Sequence, residues 1–508
     1  MFLSLPSTSL PDAERIARLE QQLAWAEMKI RLLEERLRLE RIKKYGPASE
    51  KLSDAQLELL DLEPGVSSVE VQAESGREPL AASKPKAERR PHPGRQELPA
   101  HLPRVERIVP CAPEQCACKL CGAPTEVIGY DSSEQLDVEP ARYFVTVVKR
   151  EKRACKKCEA GGVVAAPVPA RIVEKGLVSD RVVLDTVVAK YSDHLPLYRQ
   201  SAILERETGI EIHRATLGGW VMRVGELAVP IAAAMRLELL SGSYIQADET
   251  PVDVQMHDGS GHNHQAYLWQ YSRPGGSAVF DFRMGRGRDG PRQFLGKFEG
   301  LLQTDGYIAY QGVGGPKLVH AACWSHSRRH FFEALKLNPD DVAATRVVVA
   351  IDDLFAIDAE ARARNLDVAA RQALRAERAP DLLEIIRQRV EAARAQALPA
   401  SKLARAANYT LTLWPKLTRF LEHPELELSN NLAENSMRGV ALGRKNWIHL
   451  GSREAGPKVA AILSVVETCR RMGIAAREYL GAVLPGLNGV SIQRIAELTP
   501  AAWAASRR

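Results

Sequence analysis

The chain has 508 residues, 45% of them hydrophobic and 26% charged. These are the proportions of a globular protein with several buried cores, and they exclude a disordered or fibrous chain. The 69 Lys and Arg exceed the 63 Asp and Glu by six, a mild basic excess that suits a nucleic-acid partner without requiring one. No apolar run approaches the roughly 18 residues of a membrane span. The start, Met-Phe-Leu-Ser-Leu-Pro-Ser, lacks the basic region of a signal peptide, so a cytosolic protein is expected.

Residues 1–45 read as a helix. Ile16, Leu19, Leu23, Ala26, Ile30, Leu33 and Leu37 alternate at spacings of three and four, with Glu, Arg and Lys between them. That is the a/d pattern of a coiled coil that could pair two subunits; an amphipathic helix on a globular surface has the same pattern. Gly46 and Pro47 break it. Residues 46–105 are rich in Pro, Ser, Glu, Lys and Arg and read as a largely flexible linker.

Residues 106–168 hold six of the eight cysteines, at 111, 116, 118, 121, 155 and 158. Clustered cysteines in an intracellular chain point to metal before disulfides. Cys118-x-x-Cys121 and Cys155-x-x-Cys158 are matched pairs, and four thiolates suit a closed, structural, tetrahedral zinc site. The alternating stretch Tyr143–Lys149 reads as a strand of a β-hairpin that returns the second pair to the first, a zinc-ribbon-like arrangement. Cys111 and Cys116 lie close by, but their spacing does not match.

Residues 169–235 turn helical, with helices expected over Asp180–Tyr191, Leu197–Thr208 and Arg214–Leu227. A short turn at Gly209 makes the last two consistent with a DNA-binding helix-turn-helix offering Arg199 and Arg214, or with a plain connector. Over 236–339 the period changes. Strands are expected at Tyr244–Ala247, Gln265–Ser272, Ala278–Phe282, Leu301–Thr304 and Leu318–Ala322, and helices at Arg292–Phe298 and from Trp324. Residues 340–424 are helical and rich in Ala, Arg, Leu and Glu. Residues 425–470 carry a further helix, and 471–508 form a helical tail with two short amphipathic stretches.

Three acids stand out. Asp248 and Asp305 each end an apolar run that reads as a strand. Glu434 sits on the later helix, where Asn430, Glu434 and Arg438 share a face. Carboxylates gathered from two strands and a helix could hold two divalent cations, which activate water and stabilise the leaving oxygen of a phosphodiester. Glu249 and Asp253 rival Asp248 but do not end an apolar run. Arg328, Arg329, Arg438, Arg444 and Lys445 are the basic groups that could hold a DNA phosphate; solvated surface charge is the plainer reading of each. Cys323 and His326 are too few for a metal site alone, and core packing and hydrogen bonding fit them equally well.

These motifs closely resemble the transposases of the insertion sequence 66 family over nearly the whole chain. The resemblance is carried by residues 43–51, by Cys118, Cys121, Cys155 and Cys158 with Ser133–Asp137 between them, and by Asp193–Gln200 with Thr216-Leu217-x-x-Trp220-Val221. It continues in Ala247-Asp248-Glu249-Thr250-Pro251, Thr304-Asp305-Gly306-Tyr307, Cys323-Trp324-x-His326-x-Arg328-Arg329, and Asn430 through Trp447. It implies an α/β multidomain chain whose catalytic core is a ribonuclease-H-like mixed sheet with a helical insertion. Asp248, Asp305 and Glu434 would be the DDE ligands of two Mg2+ or Mn2+ ions. It further implies cleavage at terminal inverted repeats, strand transfer into target DNA, association with the bacterial nucleoid, and small accessory proteins from the same element. A DNA-binding regulator with an inert nuclease-like fold, and a nuclease that cuts without joining, are the alternatives. Gly439 departs from the family pattern, which has Pro there, and puts only local helix geometry in question.

Overall fold

The computed structural model describes residues 123–124, 142–154, 163–256 and 262–507. The helix expected over 1–45, the linker and the four paired cysteines Cys118, Cys121, Cys155 and Cys158 lie outside the described residues. Residues from Arg150 onward belong to one compact unit.

That unit opens with a small antiparallel hairpin, β1 (Lys152–Ala154) and β2 (Val163–Ala165), with Lys152 opposite Ala165. Tyr143–Lys149, expected as a strand, is irregular. Its alternating pattern finds no partner ladder among the described residues, and an unpaired strand has no hydrogen bonds to hold it.

The main sheet has six strands: β3 (Tyr244–Gln255), β4 (Asn263–Ser272), β5 (Ala278–Arg283), β6 (Leu301–Thr304), β7 (Val319–Ala322) and β8 (His449–Leu450). Their order is β5-β4-β3-β6-β7, with β8 beside the far end of β3. β3, β4 and β5 form an antiparallel meander, while β6, β7 and β8 run parallel to their neighbours. The sequence places the end of β3 at Asp248, before Pro251; instead the strand runs on for seven residues. Pro251 is tolerated because its carbonyl accepts from the Arg444 guanidinium instead of a ladder partner. Its missing N–H therefore falls on the stretch of edge that neither β6 nor β8 reaches.

The helices are α1 (Asp180–Tyr191), α2 (Leu197–Thr208), α3 (Arg214–Leu240), α4 (Asp289–Leu295), α5 (Trp324–Leu337), α6 (Val342–Ala363), α7 (Val368–Gln396), α8 (Lys402–Leu417), α9 (Asn431–Trp447), α10 (Ala455–Arg471), α11 (Ala476–Val483) and α12 (Pro500–Ala505). α1 and α2 take the expected bounds. α3 does not stop near Leu227 but continues through Pro230, because Ile231, Met235 and Leu239 beyond it are buried and their packing outweighs the lost hydrogen bond. α4 lies three residues earlier than expected, since Gly296 at φ +55° ends it.

Two hydrophobic cores hold these layers. In one, Val183, Leu217, Val221 and Ile231 of α1 and α3 pack with Val465 and Cys469 of α10 and with Ile245, Ala247, Trp269 and Tyr271 of the sheet. The expected DNA-binding helices thus share their core with the sheet. Gly225 makes the α3–α10 crossing possible: a Cβ there would meet Lys458 Cβ at 2.6 Å. The second core joins Tyr244, Leu301 and Trp324 to α6, α7 and α8, so the helices of 340–424 pack against the β3, β6 and β7 side of the sheet. α3 is long and apolar enough to cross a membrane by length and composition alone, yet Leu217, Val221, Val224, Leu227, Ile231, Met235 and Leu239 along it are buried in the first core.

Candidate active site

β3 and β6 run parallel, with Tyr244 beside Leu301 and Gln246 beside Gln303. Continuing that register by two residues sets Asp248 beside Asp305 on the same face of the sheet. Asp305 lies one residue past β6, where Gly306 at φ +91° turns the chain. Its Oδ1 accepts from the Tyr307 N–H at 2.8 Å, and its carbonyl accepts from the Tyr409 hydroxyl of α8. Glu434 stands in the first turn of α9, where the helix dipole favours an anion. Its Oε2 accepts from Arg329 Nη2 at 3.0 Å, and its Oε1 lies 3.6 Å from His326 Nε2.

Asp248 feels the other acids. The Asp248 carboxyl is pushed up to about 8, first by burial and then by the charges of Glu434, Glu249 and Asp305. Burial also works to raise the Glu434 carboxyl, but His326, Arg329 and Arg438 overrule it and hold it below its ordinary value. His326 is raised to about 10: burial opposes its charge, and Cys323 and Glu434 favour it. As they stand, no three His, Cys, Asp or Glu side chains among the described residues converge at metal-ligand spacing. The donor set nonetheless fits a hard cation. Glu434 Oε1, Ser325 Oγ, Asn430 Oδ1 and Asn431 Oδ1 are buried without hydrogen-bond partners, and oxygen donors are what such an ion takes. A cation would also relieve the repulsion that raises Asp248.

The rivals of Asp248 are placed differently. Glu249 faces the other side of β3, its side chain 2% exposed, with Arg286 on Oε1 and the Tyr310 hydroxyl on Oε2. Asp253 is exposed toward the far end of the strand. Among the basic groups, Arg199, Arg214, Arg329 and Lys445 reach the surface, and Arg438 and Arg444 are half-buried. Arg328 corrects the sequence-based expectation of a DNA contact. It is 4% exposed, and its guanidinium is bonded through Nε and Nη2 to Asp352, which turns it inward and away from a phosphate at the surface.

The sequence reading missed the group that anchors α9. Glu467 of α10 accepts from Ser436 at 2.6 Å and pairs with Arg470 and Arg471, and Arg471 donates to the Leu432 carbonyl at 2.7 Å. A carboxylate in an apolar helix with Arg at i+3 and i+4 is a visible signal for it. The Glu249–Arg286 pair spans 37 positions and has no local signal.

A family model described as "Transposase IS66 family" matches residues 175–458, a span that takes in the whole main sheet and all three acids. Two more match upstream: "Transposase C of IS166 homeodomain" over 32–107 and "zinc-finger binding domain of transposase IS66" over 115–159. The first covers all of the stretch 46–105 that composition reads as linker, which therefore carries a family pattern. The second covers both cysteine pairs. Three uncharacterized proteins of Sinorhizobium fredii are similar along most of their length. y4qI is 32% identical over 93% of this chain and 88% of its own, y4jD 31% over 81% and 82%, and y4hP 28% over 94% and 88%. A mixed sheet bearing half-buried carboxylates, matched throughout by transposase models, puts the chain in the class of transposases. More narrowly, it belongs to the IS66 transposase family, with that family's zinc-finger domain ahead of the sheet.

Proposed function

We propose that this chain is a DDE transposase that cleaves the terminal inverted repeats of its element and joins the freed 3′ ends to target DNA. One observation carries the reading: the β3–β6 register sets Asp248 beside Asp305, and Glu434 of α9 is the first charge, after burial, that perturbs Asp248. An antiparallel three-stranded meander extended by two parallel strands also supports a ribonuclease-H-like core.

Asp248, Asp305 and Glu434 would hold Mg2+ or Mn2+, a pair of which supplies electrophilic stabilisation of the attacking and leaving oxygens of a phosphodiester. Arg329 and His326 keep Glu434 ionised and oriented. Arg438, Arg444 and Lys445 along α9 present positive charge for the DNA backbone, and Arg199 and Arg214 on α2 and α3 do so for the element end. Cys118, Cys121, Cys155 and Cys158 would hold the structural zinc. The N-terminal helix would pair two subunits so that both ends lie in one complex, acting in the bacterial cytoplasm on nucleoid DNA, with accessory proteins of the same element as further partners.

The test is cleavage and joining of a DNA carrying the element end, with Mg2+ or Mn2+, by wild type, Asp248→Asn and Glu434→Gln. Both variants should bind the end and lose cleavage by at least about a thousandfold. Cleavage retained in either removes that residue from the chemistry. Sequenced products lacking new junctions would leave a nuclease in place of a transposase.

A further inference from the structure

Glu434 is useful only if α9 starts in one place, and the cap of α9 does not fix that place: Asn430 occupies the N-cap without a side-chain hydrogen bond to the helix. The chain leading into it, residues 424–430, is held instead by its backbone. The Pro424 carbonyl accepts from Arg371 at 2.7 Å and the Leu426 carbonyl from Arg375 at 2.9 Å. The Glu427 carbonyl accepts from Gln303 Nε2 at 2.7 Å, the Leu428 carbonyl from the Trp324 N–H at 2.9 Å, and the Ser429 carbonyl from Gln246 Nε2 at 2.9 Å. The Asn430 N–H donates to Cys323 Sγ at 3.4 Å.

Gln246 and Gln303 are fully buried. They bond to each other at 3.0 Å and share the Tyr244 hydroxyl. Packing alone gives no reason for two amides in the middle of a sheet, because apolar side chains would fill the space at less cost. Each does what an apolar residue cannot: it donates to a backbone carbonyl of the incoming strap, away from bulk water on the glutamine's side. Each also stands two residues before an aspartate on the same face, Gln246 before Asp248 within β3 and Gln303 before Asp305 just past β6. The opposite side of the strap is gripped by the insertion. Glu427 pairs with Arg362 and Arg371, and Arg375 is braced by a buried pair with Asp358.

We propose that Gln246 and Gln303 are positioning residues for Glu434. The strands carrying two of the carboxylates set the location of the third through this strap, and the helical insertion clamps the strap from behind. The proposal rests on the reading of Asp248, Asp305 and Glu434 as cation ligands.

Full-length Gln303→Leu and Gln246→Leu test it, beside Glu434→Gln. With an ångström of freedom at Glu434, cleavage should fall about tenfold to a hundredfold. The Mn2+ concentration for half-maximal cleavage should rise, and the gain in melting temperature on adding Mn2+ without DNA should shrink, while end binding stays at the wild-type level. The double variant should lose little more than either single one, since both act through one strap. A lowered melting temperature with wild-type Mn2+ dependence, or wild-type cleavage, overturns the proposal. If Gln303→Leu does not fold, Arg371→Met loosens the strap from the insertion side and is read by the same criteria. Glu434→Gln separates the two levels. If it cleaves, the ligand reading fails and takes the proposal with it; if it is dead while folded strap variants behave as wild type, only the positioning role fails.

Discussion

Replacing Asp248 by Asn probes the electrostatics of the site before any DNA is added. The carboxyl lies at about 8 in the fold against an ordinary 3.8. Between those values the folded chain holds a proton that the unfolded chain has lost, so the group stabilises the fold below pH about 4 and loses that contribution as pH rises through about 8. Four units at 1.36 kcal/mol each set an upper limit of about 5–6 kcal/mol. Relaxation and water reaching a half-buried group reduce this to about 2–3 kcal/mol. An amide has no proton to hold and no charge to bury. In EDTA, wild type should therefore lose stability relative to Asp248→Asn steadily from pH 5 to pH 8, reaching that difference by pH 8 in urea or thermal unfolding. Adding Mg2+ or Mn2+ at pH 8 should close the gap by stabilising wild type alone. Parallel pH profiles for the two proteins would refute the reasoning, because they would mean that neither burial nor the neighbouring charges raise the Asp248 carboxyl.

Gly306→Ala places a Cβ at φ +91° and 2.5 Å from Leu413 Cδ1. It should cost about 1–3 kcal/mol in thermal unfolding and lower cleavage by displacing Asp305. Arg328→Met removes two charged hydrogen bonds to the Asp352 carboxylate and should destabilise by about 1.5–3 kcal/mol, with the salt dependence of DNA binding unchanged. Lys445→Ala should do the reverse, leaving melting intact and reducing the salt slope of binding by about one. The zinc-finger domain should carry one zinc per chain by atomic spectroscopy; Cys118→Ser or Cys155→Ser should release it and weaken binding to the element end.

Several elements were legible because their signals are local. α1 and α2 follow from apolar periodicity, with Gly209 at φ +70° closing the second, and β6 from Leu301, Leu302 and Thr304 ahead of an aspartate. Asp248, Asp305 and Glu434 could be picked out because each sits at the end of an apolar run or in a distinctive helix motif. Where the reading failed, distant packing had outweighed a local rule. Pro251 did not end β3 because Arg444, 193 positions on, takes its carbonyl. Pro230 did not end α3 because the residues after it are buried. Arg328 looked like its neighbour Arg329 in the sequence, and only the fold turns one inward to Asp352 and the other toward Glu434.

By itself, then, the sequence determined which residue types were available for metal and DNA chemistry and which short segments would be helix or strand, because those depend on neighbours within a turn or a pleat. Which carboxylates share one face, which arginine is spent on holding the protein together, and how two buried glutamines tie the sheet to the start of α9 were decided only by tertiary structure. Those pairings join residues tens to hundreds of positions apart, and they exist only once the strands have closed in register and the insertion has packed behind them.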